Sequence, residues 1–130
     1  MAAVSEVMAR DLLTVDASLP LQEAARRMND RQVGAALVFD GERLIGIFTE
    51  RDVLRAFAQF GSEGAQRVAD WMTPGPETIA PDETTGQAAA LMIHGGFRHL
   101  PVVDAGRPVG IVSIRDLMRL VLDDVSPRGA

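Results

Sequence analysis

Hydrophobic positions along the chain recur with two periods. Leu21, Ala24, Ala25 and Met28 fall three and four residues apart, the spacing of a helix face, downstream of Ser18, a candidate N-cap. Ala88, Ala89 and Met92 repeat that face after Asp82, and Gly95-Gly96 predicts where the second helix stops. Short apolar runs at residues 35–39 and 44–48 flank Asp40-Gly41-Glu42-Arg43, a glycine-containing link that predicts a hairpin. A second hairpin is predicted from residues 100–103 and 109–112 around Asp104-Ala105-Gly106-Arg107-Pro108. Each hairpin runs into a further helical pattern, with Val53, Leu54 and Phe57 on the apolar side of one and Leu117, Met118, Val121 and Leu122 on that of the other. Brief apolar pieces at Val15 and Ile79 read as opening strands. The predicted order is β-α-β-β-α, written twice.

The duplication is explicit in the residues. A shift of 64 positions lays residues 4–55 over 68–119 without a gap, giving 14 identities in 52 positions, where unrelated sequence gives roughly 3 or 4. Gly46-Ile47-Phe48-Thr49-Glu50-Arg51-Asp52 lies over Gly110-Ile111-Val112-Ser113-Ile114-Arg115-Asp116, and Arg55 over Arg119. Val4 and Met8 lie over Val68 and Met72, and Thr14-Val15 over Thr78-Ile79. The expected organisation is therefore a first unit at 1–60, a linker at 61–67, a second unit at 68–122 and a flexible tail at 123–130.

Composition narrows the functional classes. The 130 residues are 47% hydrophobic and 24% charged, which suits a packed core rather than disorder. Cysteine is absent, which excludes disulfides, thiolate nucleophiles and Cys-ligated metals and fits a reducing, cytoplasmic setting. A net charge of −5 argues against a nucleic-acid or anionic-membrane partner, and no apolar run has the length of a membrane span. With only His94 and His99 as imidazoles, no metal site is expected. No serine triad, P-loop or dinucleotide fingerprint is present, so the reading is non-enzymatic.

The chemistry concentrates in Thr49-x-x-Asp52 and its twin Ser113-x-x-Asp116, each at a strand-to-helix junction. A hydroxyl and a carboxylate three residues apart can share a diol such as that of a ribose, and a helix N-terminus beside them favours phosphate. The same spacing is that of a capping box, ordinarily closed by Glu or Gln, and both readings stand on these residues alone. Trp71 could stack on a base or anchor a core, and Arg51 and Arg115 could reach phosphate or pair at an interface.

The duplicated unit, with its two Gly-x-x-Thr/Ser-x-x-Asp segments, the run Phe97-Arg98-His99-Leu100-Pro101-Val102-Val103-Asp104, and Val-Met or Trp-Met opening each copy, resembles a tandem pair of cystathionine β-synthase (CBS) domains, a Bateman module. The resemblance covers about residues 4–122. It implies an α/β (α+β) fold of two units about a pseudo-twofold axis, packed through their sheets, with two clefts that take AMP, ADP, ATP or another adenosine compound as a regulatory ligand and no obligatory cofactor. One cleft (site A) would join Thr49 and Asp52 to Thr78, Ile79, Arg98, His99 and Pro101; the other (site B) would join Ser113 and Asp116 to Thr14, Val15 and the segment 35–37, Ala36 included. Arg98 would hold a ligand phosphate, and site B, with Gly34 and Ala35 at the aligned positions, would be the weaker. A homodimer, a regulated partner protein and a sensing role follow from the same resemblance. A structural interaction module without nucleotide is the alternative.

Overall fold

The computed structural model describes residues 2–124. Its elements are β1 (Thr14–Asp16), α1 (Leu21–Arg31), β2 (Ala35–Asp40), β3 (Arg43–Thr49), α2 (Glu50–Phe60), α3 (Val68–Trp71), β4 (Thr73–Pro74), α4 (Thr85–Gly95), β5 (His99–Asp104), β6 (Arg107–Ser113) and α5 (Ile114–Asp124), preceded by a 3-10 turn at Val4–Glu6. The helix of the last copy takes in the first two residues of the tail expected at 123–130, and 125–130 lie outside the described residues.

Contacts divide the chain into two compact units, Leu12–Pro76 and Met1–Asp11 with Glu77–Ala130. The boundary does not fall in the linker at 61–67. The opening segment of each sequence copy is built into the unit formed by the other.

In the unit Leu12–Pro76, β1 pairs parallel with β2, β2 antiparallel with β3, and β3 antiparallel with β4. Val15, Val38 and Phe48 from the sheet meet Leu21, Ala24 and Met28 from α1, and Val68 from α3 closes the same core. Phe48 and Val68 are fully buried, each such side chain contributing about 1.5–3 kcal/mol of burial free energy. The residues of the expected linker are tied to this unit: the Leu21 amide donates to the Gln66 carbonyl at 2.9 Å, and the Arg67 guanidinium donates to the Ser18 carbonyl.

The other unit reproduces this plan at the 64-residue offset. β5 and β6 form the hairpin, Ile79 bridges parallel to Val102 as Val15 does to Val38, and Ala9 bridges antiparallel to Ile111 as Thr73 does to Ile47. Its core is Val4, Met8, Ile79, Ala88, Met92, Leu100, Val102 and Val112. The opening strand expected at Ile79 is thus reduced to a bridge.

Both helix starts differ from the sequence expectation. Ser18 does not cap α1, whose N-cap position is Pro20; it donates from its amide (2.9 Å) and hydroxyl (2.6 Å) to the Asp16 carboxylate instead. The cap of α4 is Thr84, which forms a reciprocal box with Gln87, rather than Asp82. The α4 stop is as expected, with Gly96 in the left-handed region at φ 74°.

Candidate functional site

In each unit the hydroxyl–carboxylate pair stands where a hairpin strand ends and a helix begins. Thr49 caps α2: its amide and hydroxyl donate to Asp52 Oδ2 at 2.9 and 3.2 Å, and its hydroxyl accepts from the Asp52 amide at 3.4 Å. Ser113 does the same for α5, its amide donating to Asp116 Oδ2 at 2.8 Å and its hydroxyl accepting from the Asp116 amide at 3.1 Å. Both are capping boxes. Their carboxylates keep oxygen lone pairs beyond those the box uses, so capping does not exhaust them.

The strand opposite each box completes one end of the sheet. Ala35 lies across from Thr49 and His99 from Ser113, while the Gly34 carbonyl accepts from the Glu50 amide at 3.0 Å and the Arg98 carbonyl from the Ile114 amide at 2.9 Å. Thr14 and Thr78 are exposed just before Val15 and Ile79, whose side chains are buried in the two cores. Ala36 and Pro101 are likewise buried. The Ile79 amide donates to the Pro101 carbonyl and its carbonyl accepts from the Val103 amide, so its peptide groups are committed to the sheet.

The two ends differ in charge. In the unit Leu12–Pro76, the Glu50 carboxylate lies over Gly34, so close that a Cβ there would meet Glu50 Oε2 at 2.6 Å. At the aligned positions of the other unit, Arg98 replaces the glycine and Ile114 the glutamate. One end therefore carries Glu50 and an Asp52 paired with Arg55, and the other an exposed Arg98 and an Asp116 with Arg119 3.6 Å away.

Of the residues grouped as site A, Thr49 and Asp52 belong to the unit Leu12–Pro76, and Thr78, Ile79, Arg98, His99 and Pro101 to the other. The site B residues are divided in the opposite sense. Within one unit, the fold places Thr14, Ala36 and Thr49 on a hairpin and its flanking strand with Asp52 in the first turn of the helix that follows, and Pro101 and Ser113 on the equivalent hairpin with Thr78 and Arg98 just before its strands and Asp116 in the first turn of α5.

Three neighbours of these sites escape sequence reasoning. Glu50 over Gly34 is one. The second is Arg55, whose NH1 lies 2.9 Å from Asp52 Oδ1; its repeat equivalent Arg119 lies 3.6 Å from Asp116 Oδ1. The alignment of Arg55 with Arg119, three residues after each Asp, was the available signal. The third is the methionine that opens each copy: a Cβ on Gly46 would meet Met72 Sδ at 2.5 Å, and one on Gly110 would meet Met8 Sδ at 2.5 Å. The glycine of each Gly-x-x-Thr/Ser-x-x-Asp segment thus makes room for a packed thioether. Trp71 is held within its own unit, its Nε1 donating to Gln66 Oε1 at 2.9 Å and its ring meeting Phe60 edge-on at 5.9 Å.

His94 Nδ1 lies 2.9 Å from the Ala90 carbonyl within its own helix, and among the described residues no cluster of His, Asp or Glu could hold a metal. No described helix is long and apolar enough to cross a membrane.

The CBS domain family matches the chain twice, at residues 4–59 and 68–123. An uncharacterised protein of Acidianus ambivalens is 34% identical over 122 residues, covering 92% of this chain and 73% of that one. The crystal structure of a CBS-domain-containing protein from Agrobacterium tumefaciens superposes with a TM-score of 0.84 at 34% identity, over 92% of this chain and 99% of that one. The CBS domain pair of protein MJ0100, solved with 5-methylthioadenosine and S-adenosyl-L-methionine, gives a TM-score of 0.85 at 27% identity over 95% and 98% of the two chains. CBSX2, solved with AMP, gives 0.79 at 26% identity over 96% and 99%.

Proposed function

The chain belongs to the CBS domain family, as a pair of CBS units with an α+β fold, and from that premise we propose that it is a non-catalytic cytoplasmic sensor of an adenosine-containing ligand. The observation that carries this reading is the pair of box carboxylates, Asp52 and Asp116, each at a sheet end that also holds an exposed threonine, with the exposed Arg98 in one unit where the other has Gly34. Aspartate is one methylene shorter than the glutamate usual in a capping box and still closes it, while retaining acceptors suited to ribose hydroxyls. Arg98 supplies the bidentate donor that a phosphate requires. The bound ligands of MJ0100 and CBSX2 share an adenosine moiety, which supports the choice of ligand class.

The output runs along the helices that begin at the boxes. α2 starts at Thr49 and Asp52 and exposes Leu54, Phe57 and Phe60; α5 starts at Ser113 and Asp116 and exposes Met118, Val121 and Leu122. Such apolar faces suit a second copy of the chain or a regulated protein. Ligand that repositions a box moves the face on the same rigid helix, and the equilibrium shifts by the ligand's differential affinity for the two arrangements. These faces also favour the alternative of an interaction module without nucleotide.

Isothermal titration with AMP, ADP, ATP, NAD and S-adenosylmethionine separates the two. The sensor reading expects binding that is weakened by Asp52→Ala or Asp116→Ala, with Arg98→Ala weakening AMP far more than adenosine. Absence of binding at millimolar concentrations, with substitutions at the boxes changing thermal stability alone, would leave only the interaction module.

A further inference from the structure

The two box carboxylates are not equally available. Asp52 is 6% exposed, and the acceptor capacity of its side chain is mostly used: Oδ2 accepts from the Thr49 amide and hydroxyl, and Oδ1 accepts from Arg55 NH1 at 2.9 Å. A carboxylate offers about four lone-pair sites, so about one is left at Asp52. A ribose diol brings two hydroxyls.

Arg55 has a reason to stay where it is. Its guanidinium carbon lies 5.3 Å from the centroid of the Trp71 ring, so the cation is shared between an aromatic face and the Asp52 carboxylate. Trp71 is in turn fixed by its bond to Gln66 and its edge contact with Phe60.

The equivalent arrangement is missing from the other unit. Val7 occupies the position aligned with Trp71, and Asp124 that aligned with Phe60, so the equivalent positions offer Arg119 no ring. Arg119 NH1 stands 3.6 Å from Asp116 Oδ1, outside hydrogen-bonding distance, and the Ser113 amide is the donor held by the Asp116 carboxylate among the described residues. About three acceptor sites remain there.

The geometry points to Arg55 as an internal occupant of the Asp52 carboxylate, a specificity-determining residue that competes with ligand hydroxyls at the α2 box and leaves the α5 box as the stronger diol acceptor. The inference rests on the adenosine-sensing reading above. A ligand that does engage Asp52 must displace Arg55 from Trp71, so the chain's single tryptophan reports that event.

The experiment isolates the α2 box with Asp116→Ala, or Asp116→Asn where the alanine variant does not fold, and titrates adenosine, which carries no phosphate to attract Arg55. Adding Arg55→Ala is expected to tighten adenosine binding about tenfold, the equivalent of one charge-assisted hydrogen bond no longer displaced, while Arg55→Lys gives an intermediate gain. Trp71 emission should change along the calorimetric binding curve when Arg55 is present and stay flat when it is absent. Unchanged or weakened binding on adding Arg55→Ala, or a tryptophan signal indifferent to Arg55, overturns the role of Arg55 while leaving ligand sensing intact. Failure of the unsubstituted protein to bind any adenosine compound overturns the sensing reading and this inference with it.

Discussion

Gly110→Ala tests the packing of the opening methionine Met8. A Cβ at that position would stand 2.5 Å from Met8 Sδ, 2.8 Å from Met8 Cγ and 2.9 Å from the Ala9 carbonyl oxygen. The thioether can rotate away at modest cost, but the carbonyl belongs to the backbone bridge between Ala9 and Ile111, held by hydrogen bonds of 2.8 and 2.9 Å in both directions. Overpacking of this kind costs about 1–3 kcal/mol. Gly110 has no positive φ, so alanine also restricts the unfolded chain and returns about 0.5–1 kcal/mol. With both terms at the middle of their ranges the expected net loss is about 1 kcal/mol, read from urea unfolding at fixed protein concentration. Met8→Ala alone should cost about 2–3 kcal/mol by leaving a cavity. In the double variant the new methyl no longer meets the sulfur, so the combined loss should fall short of additivity by about 1 kcal/mol. A Gly110→Ala protein within 0.5 kcal/mol of the parent, or a strictly additive cycle, would refute the argument.

Two other expectations concern turns. Ala105 and Gly106 both have positive φ, 52° and 79°, in the two-residue link of the β5–β6 hairpin, an arrangement that prefers Asn-Gly; Ala105→Asn should therefore raise the urea midpoint by an amount worth about 0.5 kcal/mol, and a fall would contradict it. The Ser18 hydroxyl, then its amide, hold the Asp16 carboxyl below the usual carboxylate value. A carboxyl depressed on folding stabilises the fold above its unfolded value and loses that contribution as pH falls through the folded one. Ser18→Ala should thus raise the Asp16 value in an NMR titration and shrink the stability gap between variant and parent on acidification; an unmoved Asp16 titration would be inconsistent with this bond.

Much of this was legible in the chain because the signals are local. The two hairpins and the Gly96 stop depend on neighbours within a few residues, and the 64-residue repeat on residue identity alone. The capping boxes were legible too, since the Thr49–Asp52 and Ser113–Asp116 bonds span three positions. What the sequence could not show was which remote segment completes each core. Val68 and Val4 look alike in the alignment, and nothing in their spacing says that each packs with residues of the other copy. The cap at Thr84 was displaced from Asp82 by a choice between polar residues two positions apart that periodicity does not make. Helical spacing grouped Leu117 with Val121 and Leu122 on one apolar side, yet Leu117 packs against the core of its unit while Val121 and Leu122 are exposed, a split that a period alone does not make. Arg55 became meaningful only once α3 had brought Trp71 against α2.

The exchange of opening segments has a consequence for how the chain is made. The unit Leu12–Pro76 has all its parts when Pro76 leaves the ribosome, whereas Met1–Asp11, synthesised before it, must wait for β6. Ala9 and Ile111 are on the order of a hundred residues apart, a closure that slows folding and leaves Val4 and Met8 uncovered meanwhile. The same exchange locks the duplication in place. Deleting either copy takes a valine and a methionine out of the core of the one that remains, so the ancestral single repeat cannot be recovered by simply removing half of the gene.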